Sequence, residues 1–191
     1  MKICVYSASS GQVAAAYVEG ARQLGRLMAA GGHELINGAG RTGLMGAATE
    51  GILQAGGRAV GVIPQFMVDR GWHHPGMSQL IITPDMHTRK QTMARLSEAC
   101  IALPGGVGTL EELLELITWK QLGLYDRPIV ILNLCGYFRP LLQMLEQAAA
   151  QQFMRPEHAR LWCEARTPAE ALSLCETTPC WNKALGKFAA L

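Results

Sequence analysis

CIALPGGVGTLEELLELI, residues 100–117, joins a short apolar run to a helical pattern through a turn holding Gly105, Gly106 and Gly108. An ordinary strand-to-helix turn does not need three glycines. Here they free the backbone to aim several amides at one point, and the positive end of the following helix adds to the field, which suits an anion such as a phosphate. It is not a P-loop, because no Lys-Ser/Thr pair follows the glycines. Leu110, Leu113, Leu114 and Ile117 stand at i, i+3, i+4 and i+7 and form the stripe expected to pack on a sheet. Glu111, Glu112 and Glu115 fall off that stripe. Acids in a first turn complement the helix dipole, which accounts for one of them but not for the glycine loop directly before.

The same grammar recurs outward from this stretch. KICVY leads into SASSG and a helix through about Met28, and HELI into NGAGRTG and a helix over 44–55. RAVGVI ends at Pro64, and PIVILN precedes a helix ending near Gln151. Strand alternating with helix predicts an α/β fold, a Rossmann-like doubly wound parallel sheet with helices on both faces. In such sheets ligands bind along the edge where the strands end. Residues 64–86 interrupt the rhythm and read as a loop over that edge. TPAEALSLC predicts a short helix capped by Thr167 with Pro168 at its first position. The tail CWNKALGKF carries no recognisable chemistry.

The chain has 191 residues, of which 49% are hydrophobic and 17% charged, which predicts one domain over 1–191. A formal net charge of +2 gives no basic footprint, so no nucleic-acid partner is expected. No leader core and no membrane-spanning run is legible. The six cysteines have irregular spacing and no CxxC pair. Cys4, Cys100 and Cys135, in or beside apolar runs, read as small hydrophobes, and the set as reduced and cytoplasmic. No HxxxH spacing among the five histidines supports a metal site.

Two other turns and one helix start bear on the site. NGAGRTG holds a literal GxGxxG at Gly38, Gly40 and Gly43, but no acid stands some 20 positions on to hold a ribose hydroxyl, so the dinucleotide reading fails its context. The turn still permits close approach to a phosphate at Gly40 and Gly43, and SASSG offers hydroxyls such as that of Ser9. In PDMHTRKQ, residues 84–91, Arg89 and Lys90 begin a helix whose dipole they oppose. They need a bound anion or a carboxylate such as Glu112 as partner.

Taken together, TGLMGAATEGIL, VGVIP, MHTRK, PGGVGTLEELLELITWKQLG and PIVILN resemble, in order and spacing, the LONELY GUY (LOG) family of cytokinin-activating phosphoribohydrolases, which has also carried a lysine decarboxylase label. The resemblance runs from residue 1 to about 150. It implies a Rossmann-type homodimer that needs no cofactor and cleaves the N-glycosidic bond of a nucleoside 5′-monophosphate, a cytokinin riboside 5′-monophosphate or AMP, to free base and ribose 5-phosphate. By position, Arg89 and Lys90 match the family's basic pair. Gly105, Gly106, Val107, Gly108, Thr109, Leu110, Glu111 and Glu112 span its phosphate- and ribose-binding loop, and Thr118 falls at a further contact position. Glu112 and Arg89 are the implied catalytic residues, with Arg89 serving either phosphate or leaving base. The chain departs from the family's YGGG at Asn37-Gly38-Ala39-Gly40. It also places Gly71 where a DREWAH-like run commonly carries a substrate-contacting glutamate. Lysine decarboxylation would need pyridoxal phosphate on a Schiff-base lysine, a constellation the sequence does not display. The alternative reading is a non-catalytic nucleotide- or cofactor-binding carrier of the same fold, which would not need both Arg89 and Glu112.

Overall fold

The computed structural model describes residues 1–185; residues 186–191, which include the end of the CWNKALGKF tail, lie outside the described residues. Seven strands form one sheet: β1 (Lys2–Tyr6), β2 (Glu34–Asn37), β3 (Arg58–Pro64), β4 (Gln79–Thr83), β5 (Ala99–Ala102), β6 (Ile129–Leu132) and β7 (Cys163–Ala165). The helices between them are α1 (Ala15–Ala30), α2 (Gly43–Gln54), α3 (Gln65–Asp69), α4 (Met86–Leu96), α5 (Val107–Gln121), α6 (Arg139–Ala150) and α7 (Pro168–Thr177). The spatial order is β4-β3-β2-β1-β5-β6-β7, and every pairing is parallel. The chain therefore winds outward from β1 to β4, returns to lay β5 against the other side of β1, and winds outward again. The predicted doubly wound sheet is the observed one, and its strand order reverses between β1 and β5.

Side-chain alternation along β1 explains the two layers. Ile3 and Val5 face one side, with Leu24 and Met28 of α1, Ile52 of α2 and Leu172 of α7. Cys4 and Tyr6 face the other, with Met93 of α4, Leu113 and Leu116 of α5 and Leu142 of α6. Both faces of each central strand are thus covered, which is why these strands read as unbroken apolar runs. Thr167 accepts from the Glu170 amide at 3.2 Å, the predicted cap of α7.

Three expectations are corrected. Residues 64–86 are not all loop: they contain α3 and the edge strand β4. The stripe of α5 is displaced, because its buried residues are Thr109, Glu112, Leu113, Leu116, Ile117 and Lys120, whereas Leu114 is 38% exposed. Glu112 lies on the buried face because it meets Arg89 of α4 there, at the lining of a cleft. Finally, Cys4 and Cys100 fill the core, but Cys135 is exposed, sitting at φ 52° in a turn beyond β6.

Candidate functional site

A cleft of about 670 Å³ opens at the strand ends beside the reversal point. Four segments build it. Ser7, Ser9 and Ser10 follow β1, Gly38, Gly40 and Thr42 follow β2, and Gly106, Gly108, Thr109 and Glu112 follow β5. Ile63, Met67, Trp72 and Met86, from β3 through the start of α4, supply an apolar wall with Met45 of α2.

Glu112 and Arg89 meet at its floor. The Arg89 Nη1 donates to Glu112 Oε1 at 2.6 Å and its Nε to the Val62 carbonyl at 3.1 Å. Both residues are buried, at 5% and 7% exposure. The α4 dipole that opposes Arg89 is thus answered by a carboxylate presented from α5, as the sequence requires. Burial pushes the Glu112 carboxyl above the ordinary glutamate value, and the Arg89 charge pulls it back only in part. Gly38 is required by the same pair, since a β-carbon there would overlap the terminal nitrogen of Arg89.

Helix α5 begins after Gly106, which carries no side chain to cap it, so its first-turn amides look for an acceptor elsewhere. A β-carbon on Gly105 would overlap Thr109, so the tight return of the loop onto its own helix needs glycine. Gly43, at φ 65°, lies so close to the backbone of Ala8, Ser9 and Ser10 that a β-carbon there would overlap it. It holds the first and second turns together rather than lining the cleft.

Seven of the residues singled out in the sequence come together on the cleft: Ser9, Gly40, Arg89, Gly106, Gly108, Thr109 and Glu112. Others lie outside its lining. Lys90 pairs with Glu111 and with Glu115, the latter at 3.0 Å. Val107 is 84% exposed, Leu110 packs partly against the core, and the Thr118 hydroxyl donates back to the Leu114 carbonyl at 2.8 Å.

The sequence did not single out Trp72, Met67 or Met86. Trp72 reaches the cleft because its segment is laced to the turn after β2: Arg41 N donates to Trp72 O, at 3.2 Å, and His74 N to Ala39 O, at 2.7 Å. Arg70 stacks on Trp72 and Phe66, 5.1 and 5.6 Å from the ring centres. Gly71 sits at φ 65° within this hairpin-like approach. Among the described residues no cluster of His, Cys, Asp or Glu is arranged to hold a metal, and no helix is long and apolar enough to cross a membrane.

A family model described as "Possible lysine decarboxylase" matches residues 45–175. The chain is 39% identical over 188 residues to the probable cytokinin riboside 5'-monophosphate phosphoribohydrolase LOGL2 of Oryza sativa subsp. japonica, covering 98% of this chain and 77% of that one. It is 37% identical to the cytokinin riboside 5'-monophosphate phosphoribohydrolase LOG3 of Arabidopsis thaliana, covering 98% and 87%. Among solved structures, the molybdenum cofactor carrier protein of Chlamydomonas reinhardtii superposes with a TM-score of 0.68 at 23% identity, over 90% of this chain and 93% of that one. The molybdenum cofactor binding protein of Rippkaea orientalis does so at 0.71 and 22%, over 92% and 95%. At those identities the likeness is one of fold. With the sequence relatives and the family model in agreement over most of its length, the chain belongs to the LONELY GUY family of cytokinin riboside 5'-monophosphate phosphoribohydrolases.

Proposed function

We propose that this protein hydrolyses the N-glycosidic bond of a nucleoside 5′-monophosphate, releasing the free base and ribose 5-phosphate. The observation that carries this reading is the buried Glu112–Arg89 pair standing one helical turn from the uncapped amides of α5, both on one cleft. The 5′-phosphate sits against Gly106, Gly108 and Thr109, where backbone N–H groups and the helix dipole favour negative charge. That places the ribose over Glu112 and the base against Met67, Trp72 and Met86, a flat apolar wall suited to a heteroaromatic ring.

As the bond between C1′ and the base nitrogen breaks, its electron pair leaves with the base and the ribose becomes cationic. Glu112 opposes that charge at close range in a low-dielectric site and takes a proton from the water whose oxygen bonds to C1′, while the departing base nitrogen takes up one proton, so that water is added across the broken bond. Its raised pKa makes it a better base than a solvated glutamate. Arg89, tied to Val62 and Glu112, keeps the carboxylate oriented and faces the ribose and departing base more than the phosphate. Among the described residues no lysine lines the cleft, which leaves the decarboxylase description without an amine for a Schiff base.

We further propose, as the resemblance implies, a homodimer in a reducing, cytoplasmic setting. Val107 and Leu114, 84% and 38% exposed along one face of α5, are apolar surface that a second copy would cover. Light scattering at micromolar concentration tests this, and a monomer would contradict it. For the reaction, AMP and an N6-prenylated AMP are incubated in excess over the protein. Many equivalents of free base per chain are expected. Stoichiometric binding without base release would instead make the protein a carrier.

A further inference from the structure

Tyr137 lies 32 residues beyond the glycine loop in sequence, yet its hydroxyl donates to the Gly105 carbonyl at 2.7 Å. The turn after β6 is shaped to deliver it. Asn133 Oδ1 accepts from the Phe138 amide at 2.7 Å and its Nδ2 donates to Glu164 at 2.8 Å. Two consecutive residues, Cys135 and Gly136, take positive φ values of 52° and 75°. A non-glycine residue held in that region is strained and persists only where the surroundings fix it. The Tyr137 ring is then held edge-on between Tyr17 and Phe138, with centroids 5.9 and 5.1 Å away.

The consequence follows from peptide planarity. In a trans peptide the C=O and the next N–H point in opposite directions. Tying back the Gly105 carbonyl therefore aims the Gly106 N–H the other way. The preceding peptide is treated alike, since the Pro104 carbonyl accepts from the Ala8 amide at 3.2 Å, which turns the Gly105 N–H. Glycines at 105 and 106 would otherwise leave both peptides free to flip, at an entropic cost to any ligand that must fix them. We infer that Tyr137 is a positioning residue for phosphate binding, which locks the Gly105–Gly106 peptide with its N–H directed to the anion. It touches no substrate and acts through the loop. This rests on the reading of the loop as the 5′-phosphate site.

The test compares Tyr137→Phe, which removes only the hydroxyl, with Tyr137→Leu, which removes the ring as well. Dissociation constants for ribose 5-phosphate are measured by calorimetric titration, alongside KM and kcat for AMP. Tyr137→Phe is expected to weaken ribose 5-phosphate and raise the AMP KM by about 3- to 10-fold each, the size of one net hydrogen bond. It should leave kcat within about 2-fold and not alter residual turnover of adenosine, which has no phosphate to hold. Unchanged ribose 5-phosphate affinity in Tyr137→Phe, with loss only in Tyr137→Leu, would show that the ring merely packs and would overturn the inference while leaving the phosphate site standing. A wild-type protein that binds no phosphorylated ligand would overturn both.

Discussion

Glu112→Gln is the substitution whose consequences the structure fixes most tightly. Glutamine keeps the volume and the Oε1 that accepts from Arg89 at 2.6 Å, but removes the charge. The guanidinium then keeps its bond to Val62 and loses its buried counter-charge, while the desolvation that raised the Glu112 pKa is relieved. These effects oppose each other, so the net destabilisation is about 1–3 kcal/mol, the cost of weakening one charged, buried hydrogen bond. At this chain length that lowers Tm by roughly 2–4 °C per kcal/mol. The rate loses far more, about 10²–10⁴-fold in kcat, because a cationic ribose and an attacking water both lose their partner. Unfolding cannot mimic that, since a 100-fold loss would need about 99% of the chain unfolded at the assay temperature, a population any melt detects. Glu111→Gln is the control: it removes a charge one residue away, from a side chain that is half exposed and turned to Lys90. Lys90 retains Glu115, so the expected cost is below about 1 kcal/mol with kcat nearly unchanged. The assay is base release from AMP at saturating concentration, with a thermal melt of each variant. Equal, small losses of kcat in the two variants would refute the assignment of Glu112.

Other outcomes follow from the same geometry. If ionised Glu112 is the working form, activity falls as pH drops through its pKa. Because burial raises that pKa above 4.5, the acid limb of kcat/KM for AMP should lie above the ordinary glutamate value; a limb at or below 4.5 would contradict the role. Gly38→Ala forces the terminal nitrogen of Arg89 from its place and should cost about 10²-fold in kcat/KM while the circular dichroism of the fold persists. Gly71→Glu introduces the carboxylate that the family resemblance leads one to expect there, but at φ 65°. Stability should fall by about 1–2 kcal/mol in a urea titration, whatever happens to activity.

The parts of the fold legible in the sequence are those where local and global signals agree. β1, β2, β3, β5 and β6 are apolar runs buried on both faces; β1, β2, β5 and β6 are each closed by a glycine or serine turn and β3 by Pro64, and strand alternating with helix marks them as one parallel sheet. β4 was hidden because it is an edge strand, its only apolar run the three residues Leu80–Ile82, with Ile82 half exposed. β7 is three residues long and carries Glu164, too short for any period to register. In the cleft, the glycine loop and the basic helix start announced themselves through chemistry that a structural turn would not need. The burial of Glu112 did not, because its spacing sets it off the apolar stripe of α5 and its place on the buried face comes from Arg89 on another helix. Trp72 and Tyr137 escaped for a different reason. Trp72 reaches its place through backbone bonds, and Tyr137 through its hydroxyl, to a segment remote in sequence, and no pattern within either one's own segment records that contact.

The most direct measurement is a side-by-side product analysis of AMP and adenosine with the same preparation, quantifying free adenine and the sugar released. The account predicts adenine and ribose 5-phosphate in equal amounts from AMP, and almost no adenine from adenosine, because the amides of the Gly105–Thr109 loop then have no anion to hold. Equal rates on the nucleoside and the nucleotide, or no adenine from either, would contradict it.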